Sequence, residues 1–136
     1  MTDKIKIKVI THEKVVFEDI IDEITTQGTD GRFGILPNHI AITSSLDIGV
    51  TKLIKEGKEI FMTTMGGILQ FKNNCLAILT DAAELSEDID VERAKLAKEK
   101  AEARLKAHDK PEEITKAQIA LAKAMARLKA SSYKEI

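Results

Sequence analysis

The chain of 136 residues contains no tryptophan, one tyrosine and four phenylalanines. So few rings argue against a stacking platform for sugars or single-stranded nucleic acid. A single cysteine, Cys75, excludes an intramolecular disulfide. No apolar run approaches the roughly 18–20 residues that span a bilayer. The opening stretch, Met1-Thr2-Asp3-Lys4-Ile5-Lys6, lacks the apolar segment of a secretion signal. These absences point to a soluble, cytosolic protein that reaches a membrane only if something else holds it there. Twenty-one Lys and Arg stand against 22 Asp and Glu, so no positive excess favours nucleic acid. The balance is slightly uneven along the chain. Residues 1–85 carry nine basic and twelve acidic side chains, residues 86–136 twelve and ten.

What is present changes character near residue 86. Before it, apolar residues alternate in short runs broken by glycines; after it, the chain is rich in Ala, Lys and Glu, with no glycine and only Pro111. This predicts a compact β domain followed by a two-helix appendage. Ile5, Ile7 and Val9 alternate with lysines, as in a half-buried strand. A second strand is expected over residues 14–26, with a bulge near Asp19-Ile20-Ile21. Gly28-Thr29-Asp30-Gly31 reads as a turn before a short strand from Phe33 to Leu36. Glu56-Gly57 and Asn73-Asn74 read as hairpin turns in a meander over residues 40–80. Many short strands at regular spacing indicate an antiparallel sandwich or flattened barrel.

The first helix is expected over about 90–107, capped by Asp88 or Asp90, with Ala94, Ala97, Ala101 and Leu105 on one face. The second is expected over about 112–131, with Ile114, Ala117, Leu121, Ala124 and Leu128 as its apolar face. The short break at residues 107–111 implies an antiparallel hairpin. An alanine seam allows close approach but buries little area, so the hairpin reads as marginal and separable.

Catalytic chemistry is hard to find. His12, His39 and His108 lie far apart and in no metal-ligand spacing. There is no Gly-x-Ser-x-Gly and no glycine-rich phosphate loop ending in Lys-Ser/Thr. Cys75, within an apolar run, is expected in the core and not as a nucleophile. Two motifs stand out. Gly31-Arg32-Phe33-Gly34-Ile35-Leu36-Pro37-Asn38-His39 is either a plain turn–strand–turn or a shaped surface that presents Arg32 and His39 to a partner. Ile89-Asp90-Val91-Glu92-Arg93-Ala94 is either a helix cap with a solvated ion pair or part of a nucleotide site. In the second reading Arg93 meets phosphate and Asp90 a ribose or adenine group. Lys123 and Arg127 share a helix face and would complete a cationic pocket.

Together these segments resemble the epsilon subunits of bacterial F-type ATP synthases. The resemblance runs in order through the two motifs above. It also takes in Leu46 with Gly49, Gly66-Gly67-Ile68-Leu69, Leu79-Thr80-Asp81-Ala82-Ala83-Glu84 and Ala126-Arg127-Leu128. It implies an α+β chain with a ten-stranded antiparallel β-sandwich over residues 1–86. A helical hairpin over residues 87–136 follows. It implies a non-catalytic part of the central rotor stalk, peripheral at the cytoplasmic face of the bacterial membrane. Such a subunit couples proton or sodium transport to ATP synthesis.

The sandwich is then expected to bind the gamma subunit and the polar loops of the c-ring, with Arg32 and His39 near those contacts. Members often carry an acid where this chain has Arg32. The hairpin is expected to switch between a docked and an extended state. The extended state blocks ATP hydrolysis, with Lys123, Arg127, Lys129 and Lys134 meeting the alpha and beta subunits of the catalytic head. Some members bind ATP in the docked hairpin; carried over, the site residues are Glu84, Asp90, Arg93 and Arg127. Lys123 stands where tight binders have arginine. Lysine keeps the charge but loses the bidentate fork, which predicts weak or absent binding. No cofactor or metal is required on this reading, and ATP is at most a regulator. The rival readings are a free-standing ATP-sensing module and a small β-sandwich enzyme.

Overall fold

The computed structural model describes residues 3–133. Eight strands precede two helices. They are β1 (Ile5–Ile10), β2 (Val15–Ile21), β3 (Glu23–Gly28), β4 (Gly31–Ile35), β5 (Ile42–Lys55), β6 (Lys58–Lys72), β7 (Cys75–Leu79) and β8 (Ala83–Leu85). A short 3-10 turn at Ser86–Asp88 leads to α1 (Val91–Ala107) and α2 (Pro111–Ser131).

The strands form one hydrogen-bonded sheet in the order β2-β1-β7-β6-β5-β3-β4, with β8 paired to β6. The sheet doubles over because β5 and β6, 14 and 15 residues long, each serve both layers. The far half of β6 pairs with β7, while the near half of β5 pairs with β3 and that of β6 with β8. The β5–β6 register lapses only at Asp47 and Gly66. Counting each half separately would give ten segments, but the pairing resumes past that lapse, so the described residues form eight strands and not the ten expected. Nor is the sheet wholly antiparallel, since β1 and β7 pair in parallel, Ile7 opposite Leu76.

The single strand expected over residues 14–26 is two strands meeting at Asp22. The Asp22 N–H donates to the Ile54 carbonyl at 2.7 Å, and its carboxylate accepts the Glu56 N–H at 2.7 Å and the Lys4 ammonium. These bonds turn the chain from one layer to the other, which is why the apolar phase slips there. Ile20 faces solvent and Ile21 is buried. Both hairpin turns fall where expected. Glu56 and Gly57 have φ of 50° and 79°, Asn73 and Asn74 of 51° and 61°. Two successive positive-φ residues are the signature of the tight turn whose twist matches paired strands.

Alternation sorts the side chains. Ile5, Ile7, Val9, Ile21, Ile24, Ile35, Leu53, Met62, Leu69, Leu76 and Ile78 fill the space between the layers. The same alternation corrects the expectation for Cys75. Leu76 and Ile78 point inward, so Cys75 points outward and is exposed. At one end of the core Thr26, Thr51 and Thr64 form a buried hydroxyl chain, with Oγ–Oγ separations of 2.7 and 3.1 Å.

Gly67 lies at φ 117°, and a Cβ there would stand 1.9 Å from the Leu79 carbonyl oxygen. Gly67→Ala is therefore expected to abolish the cooperative thermal transition of the purified chain; a variant that melts as the parent does would contradict the close approach. The corner has its own pH signature. The Lys4 ammonium and the Glu56 N–H lower the Asp22 pKa, and the Lys55 ammonium and the Ile20 N–H lower that of Asp19. Stability from a lowered carboxyl is complete above the unfolded value of about 4 and is lost as pH falls through the folded value. Asp22→Asn should lose less melting temperature than the parent between pH 5 and pH 2. An unchanged acid limb would remove the corner from this account.

Candidate functional site

The helical half is built from alanine. Asp90 caps α1, its Oδ1 accepting the Arg93 N–H at 3.1 Å. His108, Asp109 and Lys110 make the break, and Pro111 starts α2 with Glu112 and Glu113 in its first turn. The buried residues of α1 are Ala94 and Ala101, seven apart. Those of α2 are Ala117 and Ala124, also seven apart, with Ala126 and Ala130. The first pair of α2 lies on the face expected to meet α1. Ala126 and Ala130 belong to a second buried face that the sequence reading missed. The α1 face shows the same economy, with Ala97 and Leu105 only half-buried. Arg104 reaches Glu113 at 3.6 Å across the hairpin.

Ala130 packs with Val50 of β5 and Ile89, and Phe61 of β6 lies against them. Phe61 also stacks on Tyr133, ring centroids 4.0 Å apart and planes 10° apart. One turn before Ala130, Arg127 Nε meets Glu84 Oε1 of β8 at 2.5 Å. Glu84 is fixed in turn, its N–H donating to the buried Thr63 hydroxyl at 3.1 Å. The hairpin thus rests on the outer face of the second layer through a few small contacts.

Where the hairpin meets the sandwich lies a cavity of about 470 Å3, lined by Glu84, Asp88, Asp90, Arg93, Lys100 and Arg127 among others. The four residues singled out from the sequence, Glu84, Asp90, Arg93 and Arg127, therefore share one space of ordinary small-molecule size. Three acids and three bases line it, and Arg127 is already engaged by Glu84. Lys123 is half-buried on α2 and is not among the lining residues.

Arg32 and His39 do not come together. Arg32 sits on β4, its guanidinium donating to the Val50 carbonyl at 2.9 Å. It lines a smaller cavity with Ala122, Met125 and Lys129 of α2. That places it beside the hairpin's seat. His39 lies beyond the other end of β4. Its ring stands edge-on to Phe71 at 6.0 Å, and its Nδ1 is 2.7 Å from the Ile40 carbonyl oxygen. The preceding Asn38, at φ 71°, is locked to the β6–β7 turn, its N–H donating to Asn74 Oδ1 at 2.6 Å. Lys129 is exposed, and Lys134 lies outside the described residues.

The outer face of the first layer carries a concavity of about 1010 Å3, with Ile20, Ala41, Cys75 and Ala77 in it and Lys6, Lys8 and Lys72 around it. Nearby, Ile68 and Leu79 face each other across β6 and β7, each nearly half exposed, and Ile40 is 80% exposed. An apolar surface of this kind suits a protein partner. Among the described residues no group of three His, Cys, Asp or Glu is placed to hold a metal, and no helix is long and apolar enough to cross a membrane.

Residues 4–86 match the family described as ATP synthase, delta/epsilon chain, beta-sandwich domain, and residues 87–132 the family described as ATP synthase, delta/epsilon chain, long alpha-helix domain. The chain belongs to the ATP synthase delta/epsilon chain family. It is 45% identical over 105 residues to the ATP synthase epsilon chain of Carboxydothermus hydrogenoformans, covering 77% of this chain and 78% of the relative. It is 40% identical over 103 residues to that of Anoxybacillus flavithermus, covering 76% and 77%. Among solved structures, a chain of the Euglena gracilis mitochondrial ATP synthase superposes with a TM-score of 0.82 at 24% identity, covering 96% of this chain and 82% of that one. A chain from the central stalk and c-ring of the Tetrahymena thermophila mitochondrial ATP synthase superposes with a TM-score of 0.67 at 14% identity. At these identities the structures speak for the fold. An epsilon chain is a non-catalytic, accessory subunit of the synthase, so the enzyme reading falls away.

Proposed function

We propose that this epsilon chain works in the central rotor stalk, peripheral to the membrane at its cytoplasmic face. There it joins a gamma subunit to the polar loops of the c-ring through its sandwich, and its hairpin serves as a releasable brake on ATP hydrolysis. The hairpin's attachment carries the second half of this reading. Its seat consists of alanine methyls against Val50 and Ile89, one ion pair about one-third exposed and one ring stack. A buried methylene contributes about 0.8 kcal/mol, and an exposed ion pair about 0–1 kcal/mol. A seat of this size lets two arrangements of the helices lie within a few kcal/mol. The first half rests on the apolar outer face of the first layer, with Ile68, Leu79 and Ile40 uncovered. Released, α2 would present Lys123, Arg127 and Lys129 to acidic groups of the alpha and beta subunits. Coupling of proton or sodium flow to synthesis then requires only that the sandwich stay fixed to gamma and the ring.

Hydrolysis by the reconstituted catalytic complex tests the brake. A complex carrying a chain stopped after Ser86 should hydrolyse ATP several-fold faster than one carrying the full chain. Equal rates would remove inhibition from the proposal and leave the joining role.

A second reading is favoured by one observation, the convergence of Glu84, Asp90, Arg93 and Arg127 on one cavity. ATP bound there would hold the hairpin docked. Arg93 and Lys100 are the cations available for phosphate, because Arg127 must first leave Glu84. Calorimetry of the isolated chain with ATP, with and without Mg2+, should give a weak exothermic binding that Arg93→Ala removes. No heat at millimolar nucleotide would dismiss this reading.

A further inference from the structure

We infer that Tyr133 and Phe61 form the latch that sets how often the hairpin leaves the sandwich. The inference rests on the reading of a releasable hairpin and names the contact that regulates release. Tyr133 follows directly on the last turn of α2, where its N–H donates to the Ala130 carbonyl at 3.2 Å. Its ring lies flat on Phe61 of β6, at 4.0 Å between centroids and 10° between planes. Both rings are half-buried, beside a cleft of about 680 Å3 that Phe17 and Leu85 also line.

The composition gives this contact its weight. The chain has five aromatic rings, and Phe17, Phe61 and Tyr133 converge here. Elsewhere the buried residues of α2 are all alanine, which contribute one methyl each. The Arg127–Glu84 pair is about one-third exposed on both sides, so water screens it. Among the described residues, the stack is thus the contact in which the chain at the C-terminal end of α2 lays an aromatic ring on the sandwich. Its position at the end of the helix also matters. Opening that begins at Tyr133 next uncovers Ala130 and then frees Arg127, so losing the stack exposes the rest of the seat in order.

The test uses the full chain with Phe61→Leu, Tyr133→Leu and both together; leucine keeps an apolar side chain and removes the ring. Trypsin cleavage within α2, at Lys116, Lys123, Arg127 or Lys129, reports how often the helix is free. Each single variant should be cleaved about 2- to 12-fold faster than the parent, the worth of one aromatic pair. The double variant should be cleaved no faster than the more affected single one, because both remove the same contact. Tyr133 is the only tyrosine and tryptophan is absent, so near-ultraviolet circular dichroism in Phe61→Leu reads the latch directly and should lose tyrosine ellipticity. Unchanged strand cleavage confirms that the sandwich is intact.

Single variants cleaved at the parental rate, or effects that multiply in the double variant, would overturn the latch. The outcome is separable from the braking proposal. Faster α2 cleavage beside hydrolysis rates that ignore the hairpin upholds the latch and leaves only the inhibitory role refuted.

Discussion

The β5–β6 ladder is the constraint on which the other parts depend. Two long antiparallel strands run through both layers, and every other strand but β2 takes its position from one of them or from a neighbour paired to one. The ladder can bend only because Gly66 and Gly67 sit at φ 77° and 117°. The bend brings Gly67 against the Leu79 carbonyl with no room for a side chain. Inward residues of both halves then face one another and close the core, while outward residues of the near half, Val50 and Phe61, form the seat of the hairpin. The rigid body and the place where the helices rest therefore come from the same pair of strands.

The energetics of the two parts differ in kind. Large aliphatic side chains, fully removed from water, fill the sandwich at about 1.5–3 kcal/mol each. The hairpin buries methyls, against itself and against the sheet. It keeps Leu96, Ile119 and Met125 about half exposed, which a helix with a permanent seat would have reason to cover. A domain built this way holds its strands through motions that release its helices. Such a division suits a subunit that stays attached to a rotor by one part and changes what it touches with the other.

Much of this was legible in the sequence. The alternation at Ile5, Ile7 and Val9, the turns at Glu56-Gly57 and Asn73-Asn74, and both helices were read closely, because period and turn chemistry are local signals. The strand count was not, since whether a bent strand is one or two depends on a continuous ladder that no short window contains. The Asp22 corner was visible as a slip in phase, but its cause lies with Lys4, Ile54 and Glu56, distant in sequence. Cys75 was misplaced because an apolar run of five conceals its parity. Motif and charge spacing point to Asp90, Arg93 and Arg127 of the hairpin cavity but also to Lys123, which does not line it; Glu84 comes only from the resemblance, and its pairing with Arg127, 43 residues away, needed the fold. The second buried face of α2, Ala126 and Ala130, was hidden by the abundance of alanine around it. Tyr133 and Phe61 carry no shared motif at all.

The central claim is that the helices are held far more weakly than the strands that carry them. Native-state hydrogen exchange of the isolated chain measures this most directly. The account predicts that amides in α1 and α2 exchange through a partial opening, orders of magnitude faster than those of β1, β6 and β7. Helix amides that exchange only with global unfolding, as slowly as the central strands, would show a single cooperative unit and contradict it.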